Sequence, residues 1–455
     1  MKIPFDQIIS TGFLALAVFT VLAHGVVEPW SELIFVLSVA ALCLTWAIKA
    51  IKDRRLSLFV PANLWPLAGL ILLGLAQSLS FSKGNGSTNS LSLDVEATRG
   101  TTLLLVCLLL TSLLASNFLT HRQRLQTMMQ FLTLFGLVLA TFSLVQHFTW
   151  NEKLYWLRTV EAKIAFGPFV NRNHFAGYIE LLLPWPVALM LTQRRSTAEK
   201  SFYLFLTAWM IIVAVFSLSR GGMISIFAQL AFLMIFRPRQ FDEIELAKPS
   251  RRATLTTFFQ RGAAAAAVLV IVFGGLTWLG AERVLDRVVV GFDEEQSHPG
   301  FQSASGQSSY GGRNDLWKDS AEIFLANPLT GAGLGSFETA LPIYSQSNNL
   351  GMVASQAHND YLQILTDAGL IGGLLVIWFL LATGRAVLKG IKVHEPLISH
   401  ASWACGAAIS GLLVHSLCDF NLQLLSHSFL FLSFAAIAAQ LSELAKLITL
   451  SRVRG

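Results

Sequence analysis

Residues 312–337 read GRNDLWKDSAEIFLANPLTGAGLGSF, and residues 357–373 read AHNDYLQILTDAGLIGG before running into the apolar LLVIWFLLAT. Solubility in lipid accounts for most of this chain. It does not account for these two stretches, which set arginine, histidine, aspartate and glycine at irregular spacing between apolar runs. Chemistry is expected here, and the apolar runs on either side decide the fold.

Hydrophobic residues make up 54% of the chain and charged ones 13%, against about 25% charged in a soluble domain. The charges cluster between apolar runs of roughly 16 to 22 residues, about the length that spans a bilayer core. Twelve such runs lie near residues 8–27, 33–48, 61–80, 101–119, 125–147, 173–192, 202–218, 222–236, 262–280, 367–384, 398–418 and 424–444. The first lacks a small-residue cleavage pattern and is expected to be retained. The expectation is an all-α polytopic membrane protein with about twelve transmembrane helices. Residues 1–280 would hold nine of them, 281–366 one long and partly helical periplasmic loop, and 367–455 three more with a basic tail.

Two thirds of the lysines and arginines, among them Lys49, Lys52, Arg55, Arg122, Arg124 and Arg195, fall in one alternating set of loops. By the positive-inside rule that set is cytoplasmic, with both termini. The loops 148–172 and 281–366 then face the periplasm. The net charge of +6 reflects topology and points to no nucleic acid. Cys43, Cys107, Cys405 and Cys418 lie in or beside apolar runs without a CxxC pair, which argues against a disulfide framework or a cysteine metal site. GAGLG lacks a preceding strand and the full GxGxxG spacing, so it reads as a turn.

In the long loop, SHPGFQSASGQSSYGG (297–312) reads as a linker. After it, Leu316, Trp317, Ser320, Ile323 and Phe324 fall on one side of a helix over Asn314–Leu325, the pattern of a helix lying at the membrane surface. Asn327-Pro328 ends it. The inward loop 237–261 is basic and reads as solvated, with room for anionic-lipid contact.

The outward face offers the candidate residues. Arg220, in FSLSRGGM, lies at the outer end of a helical hairpin, where an arginine is costly without an anion unless it snorkels to headgroups. Gly221-Gly222 would let the backbone bend and a ligand approach. Arg313 opens the amphipathic helix. His358 leads into the tenth span, and Asn359 and Asp360 can cap that helix. In FGPFVNRNHFAGY (166–178), Arg172, Asn173 and His174 open the sixth span. Asn173, Gly177 and Glu180 share a helical face, and His174 would stack over Tyr178. Glu180 is a carboxylate deep in a span, about 9 Å below His174. It is a functional candidate, or it pairs with an arginine to hold helices together. Asp419, four residues after His415, reads as structural.

Together these segments resemble a family. SRGG, GRNDLW, NPLTGAGLGSF and AHNDYLQILTDAGLIGG, flanked by VNRNHFAGY and HSLCDFNLQ, are similar to the shared core of the O-antigen ligase and Wzy-type polymerase superfamily, over roughly residues 166–425. The resemblance implies a GT-C-like glycosyltransferase of the bacterial inner membrane. It would take a glycan from undecaprenyl diphosphate on the periplasmic side. Arg220 and Arg313 would clamp the donor diphosphate and His358 would activate the acceptor hydroxyl. Charge on a departing diphosphate needs neutralising, and arginine's fork suits phosphate. A histidine can take a proton near neutral pH. Two arginines can replace a metal, and no DxD-type cluster stands at the outer face, so no metal or cofactor is expected. The expected partners are the lipid-linked donor, the bilayer, and a glycan or lipid A–core acceptor.

Lipid A–core makes the protein a ligase, and a second lipid-linked glycan makes it an O-antigen or exopolysaccharide polymerase. Protein-directed members often carry a large C-terminal periplasmic domain, whereas this sequence stops eleven residues past Leu444. Another class stays open, a secondary transporter of small anions, which calls for polar midplane sites in paired broken helices.

Overall fold

In lipid an apolar run can satisfy its own backbone only as a helix, and the computed structural model is almost wholly helical. It describes residues 4–83, 87–160, 165–192, 195–238, 313–345 and 354–454. In chain order the helices are Phe5–Leu22 (α1), Pro29–Lys52 (α2), Trp65–Gln77 (α3), Val95–Phe118 (α4), Arg122–Phe148 (α5), Arg172–Leu182 (α6), Pro184–Thr192 (α7), Thr197–Phe216 (α8), Arg220–Ile235 (α9), Arg313–Ala326 (α10), Phe337–Tyr344 (α11), Asp360–Ile391 (α12), Pro396–His415 (α13) and Leu425–Arg454 (α14). Ser80–Lys83 pairs with Ser87–Ser90, and Lys153–Leu154 with Arg158–Thr159, in two small hairpins that helical periodicity does not reveal.

Among the described residues nine stretches are long and apolar enough to cross a membrane, counting α6 and α7 as one, while α3 and α9 are shorter. Every expected run falls on one of these helices except that at 262–280, which lies outside the described residues together with the segment 297–312 and most of the basic loop. The start of α1, the end of α2, the end of α4 and the start of α5 meet at one end of the bundle, where Asp6 pairs with Lys49 and Arg124. The starts of α6, α9 and α12 and the end of α13 gather at the other, where the candidate residues lie.

Two helices are broken inside the bundle. Pro184 has no N–H to bond the Glu180 carbonyl. That carbonyl instead accepts from Gln229 Nε2 at 2.6 Å, and the same amide reaches the Ala407 carbonyl at 3.3 Å. One glutamine on α9 thus repairs α6 and ties it to α13. The second break is at Gly369, where α12 adopts φ 60° and ψ −157°. The turn 328–335 plugs this kink. Ala332 N–H donates to Thr366 O at 2.8 Å and Gly333 N–H to Asp367 O at 3.1 Å, while Leu370 N–H returns to Pro328 O at 2.8 Å. Gln77 at the end of α3 closes the knot, donating to Thr330 O at 2.6 Å and accepting from Leu334 N–H at 3.1 Å. GAGLG is therefore the turn its spacing suggests, and its function is to dock.

The amphipathic helix is found as α10, and part of its apolar side packs on protein. Leu316 and Ile323 are buried with Phe337, Ala340 and Leu341 of α11 and with Ala354 and Ala357, while Trp317 and Phe324 are half-buried.

Gly369 leaves no room for a side chain. A Cβ there would stand 2.5 Å from the Leu329 carbonyl, at a φ that L residues adopt with strain. Backbone on backbone cannot yield by a rotamer change, so Gly369→Ala is expected to cost at least about 2 kcal/mol. A thermal melt of the purified protein within a degree of wild type would refute this account of the interlock.

Candidate functional site

The site is built around residues 416–424, the connection from α13 to α14. The first residues of α12 fasten it. Asn359 caps α12, accepting from Tyr361 N–H at 3.0 Å and Leu362 N–H at 3.1 Å, and its amide donates to Leu417 O at 3.0 Å. Asp360 is buried and accepts from Ser416 Oγ at 2.7 Å and Leu422 N–H at 3.1 Å. The two expected caps thus also clamp the loop.

At the centre of that loop is Asp419, 1% exposed. Its Oδ2 accepts from Asn173 Nδ2 at 2.6 Å and its Oδ1 from Phe420 N–H at 2.9 Å. His358 Nδ1 stands 3.4 Å from Oδ1, long for a hydrogen bond, and His174 Nε2 4.0 Å. The ring of Phe420 packs edge-on to both, at 4.6 Å from His358 and 4.8 Å from His174. Burial opposes charge on this carboxyl. Contact with His358 and the field of His174, His358 and His415 outweigh it and hold the group well below the ordinary carboxylate range. His358 adopts a left-handed φ of 50°, a conformation a non-glycine residue keeps only where its surroundings impose it.

Below this cluster Glu180 meets an imidazole and not an arginine. Its Oε1 lies 2.9 Å from His415 Nδ1, both side chains being buried. Glu180 Oε2 and His415 Nε2 have no hydrogen-bond partner among the described residues. His427 donates from Nε2 to the His174 carbonyl at 2.8 Å, so its Nδ1 accepts from Ser426 Oγ at 3.0 Å. His174 meets Phe420 and His427 instead of stacking over Tyr178. Its place on α6 is set by Asn171, which caps that helix with a 2.9 Å bond from Asn173 N–H.

Arg220 is the first residue of α9, behind a Ser219 cap that accepts from Gly222 N–H at 3.1 Å. It is exposed and has no ion pair among the described residues. Gly221 and Gly222 do not open space for a ligand, contrary to expectation. A Cβ on Gly221 would lie 2.7 Å from Cys418 Sγ and from the His415 ring, and one on Gly222 2.7 Å from Ala176. These glycines let α9 press against α13 and α6. Arg313 is the exposed first residue of α10. Burial raises the Cys418 thiol while Arg313 works against that rise, so Arg313 lies within electrostatic reach of the same loop. Arg220 is tied to that loop through its neighbour Gly221, which packs against Cys418. Arg172 opens α6 and is engaged in an interaction of its own. No group of three metal-ligating side chains occurs among the described residues.

Residues 205–377 match the family model described as O-antigen ligase. The matched segment, less than half of the chain, supports the O-antigen ligase superfamily. No curated protein matches the chain. With nine apolar spans among the described residues, the match supports a multi-pass bacterial membrane protein with O-antigen ligase-like glycosyltransferase function. The matched segment contains Arg220, Arg313 and His358, while Asn173, His174, Glu180, His415 and Asp419 come from outside it.

Sequence reading assigned Asp419 to structure and passed over His415, Phe420 and His427. One signal was present. A lone buried carboxylate needs a partner, and His415 and Asp419 stand one helical turn apart at the end of an apolar run.

The depressed Asp419 gives a pH test. Its folded pKa lies below the unfolded value, so its contacts stabilise fully above about pH 4 and are lost as pH falls towards the folded value. Asp419→Asn is expected to lower the melting temperature at neutral pH, with the gap narrowing only in acid. A gap that closed as ordinary histidines lose their proton, near pH 6.5, would mean the carboxylate's ionisation is not what matters.

Proposed function

We propose that this protein transfers a glycan from undecaprenyl diphosphate to an acceptor hydroxyl on the periplasmic side of the inner membrane. In the first reading it is an O-antigen ligase acting on lipid A–core, and in the second a polymerase acting on another lipid-linked glycan. The observation that carries the reading is His358 beside Asp419 on the loop 416–424, where Gly221, next to Arg220, packs on Cys418 and where the Cys418 thiol feels the charge of Arg313.

The chemistry follows from that arrangement. A carboxylate beside Nδ1 favours the tautomer with its proton on Nδ1, leaving Nε2 free to accept one. The acceptor hydroxyl gives its proton to His358 as its oxygen bonds the anomeric carbon. The bond from that carbon to the diphosphate oxygen breaks, and undecaprenyl diphosphate leaves with the electron pair. Arg220 and Arg313 would neutralise the charge that develops there. The transporter reading loses support because both helix breaks are filled by protein, one by Gln229 and one by the turn 328–335, and neither lines an open path.

Two substitutions test the reading. Arg→Lys at 220 or 313 keeps the charge and loses the fork, so each variant is expected to lose most of its transfer activity in a purified assay with lipid-linked donor. Wild-type rates in both would reduce the clamp to generic electrostatics. His358→Ala is expected to lower single-turnover transfer about 10²–10⁴-fold while donor still binds. Lost binding at an unchanged saturated rate would move His358 from base to donor contact. A chelator is expected to leave the rate unchanged, and inhibition reversed by a divalent ion would overturn the metal-free scheme.

A further inference from the structure

At the end of the bundle opposite the candidate site lies a cavity of about 210 Å³. Its walls include Asp6 from α1, Trp46 and Lys49 from α2, Arg55 from the following loop, Asn117 from α4 and Arg124 from α5. Three cations thus line the cavity with one carboxylate, and a second, Asp53, pairs with Lys49 at 3.3 Å. Asp6 is shared, standing 3.0 Å from Arg124 and 3.4 Å from Lys49. That leaves the cavity with a positive excess. Arg55 has no ion pair among the described residues, and Arg124 Nε is buried with no acceptor. A buried guanidinium N–H without a partner is costly, and an anion entering the cavity would supply one.

The cavity is also held open. Asn117 exchanges hydrogen bonds with both backbone groups of Phe59, at 2.8 and 2.9 Å, pinning the loop that carries Arg55. Trp46 is braced edge-on by Phe118 at 5.4 Å. These groups sit at the helix ends, where headgroup phosphates lie. Leu56 and Leu58, which alternate along the loop with the cavity-lining Arg55 and Ser57, are exposed. Cations beside exposed leucines at a helix end suit a ligand with a phosphate and acyl chains better than they suit a soluble anion.

We propose that this cavity binds the phosphate of an anionic phospholipid, with Arg55 and Arg124 as its principal donors, Lys49 as a further charge and the loop residues Leu56 and Leu58 as the rest for an acyl chain. Asp6 keeps the cations in place when the cavity is empty and competes with the incoming phosphate.

Native mass spectrometry of the purified full chain, titrated with phosphatidylglycerol and with phosphatidylcholine, tests this. Charge-assisted hydrogen bonds predict that phosphatidylglycerol binds roughly tenfold more tightly, and that Arg55→Gln removes most of that preference. Arg55 takes part in no ion pair, so this change leaves the helix-end contacts intact. Arg124→Gln should act likewise, whereas Asp6→Asn should tighten phosphatidylglycerol binding by freeing Arg124, Lys49 keeping its contact with Asp53. A purely structural cluster would loosen in the Asp6 variant without gaining lipid. Displacement of the lipid by millimolar inorganic phosphate would reassign the site to a soluble phosphate and overturn the lipid assignment. Equal retention of the two lipids, or retention unmoved by Arg55→Gln and Asp6→Asn together, would overturn the site itself.

Discussion

A broken helix inside an apolar bundle frees backbone groups that neither lipid nor water can satisfy. This chain breaks two, and each repair places part of the site. At Pro184 the freed Glu180 carbonyl is taken by Gln229. That bond draws α9, which begins with Arg220, against α6, which carries Asn173 and His174. At Gly369 the repair comes from the turn 328–335. It fixes α10, which begins with Arg313, to the helix whose first residues hold the 416–424 loop.

The site inherits this rigidity. His358 immediately precedes α12, and Asn359 and Asp360 at that helix end bind the loop bearing Asp419. The histidine and the carboxylate behind it are therefore fixed by the same few residues. Small residues close the remaining gaps. Gly177 lies against the Asn421 amide and Gly221 against His415 and Cys418, so a methyl group at either would push the cluster apart. Two imidazole–carboxylate contacts result, one near the surface at Asp419 and one deep at Glu180. Their chain origins differ, and their common wall is α13 with the loop that follows it.

The two ends of the bundle differ in charge logic. At the site end buried acids are paired with imidazoles and amides, and Arg220 and Arg313 are exposed. At the opposite end lysine and arginine share Asp6 around a cavity with cationic excess. The same asymmetry that orients a chain in a membrane therefore also sorts which anions each end can hold.

The sequence by itself determined what is local. Run length fixed the apolar helices, proline and asparagine fixed the helix ends, GAGLG fixed a turn, and the loop charges fixed an asymmetry between the two faces. Arg220, Arg313 and His358 were legible because each begins or adjoins a helix beside a recognisable motif. Only the tertiary structure decided the pairings. Asn173 reaches Asp419 across 246 residues and Glu180 reaches His415 across 235, and no periodicity of two or 3.6 residues carries that information. It also showed what a motif cannot, that part of the apolar stripe of α10 packs on α11 and that Gly221-Gly222 serve helix packing. A side chain's type states what it must be paired with, and the fold states with which partner, because contacts in a packed bundle are set by the helices brought together and not by the order of residues along any one of them.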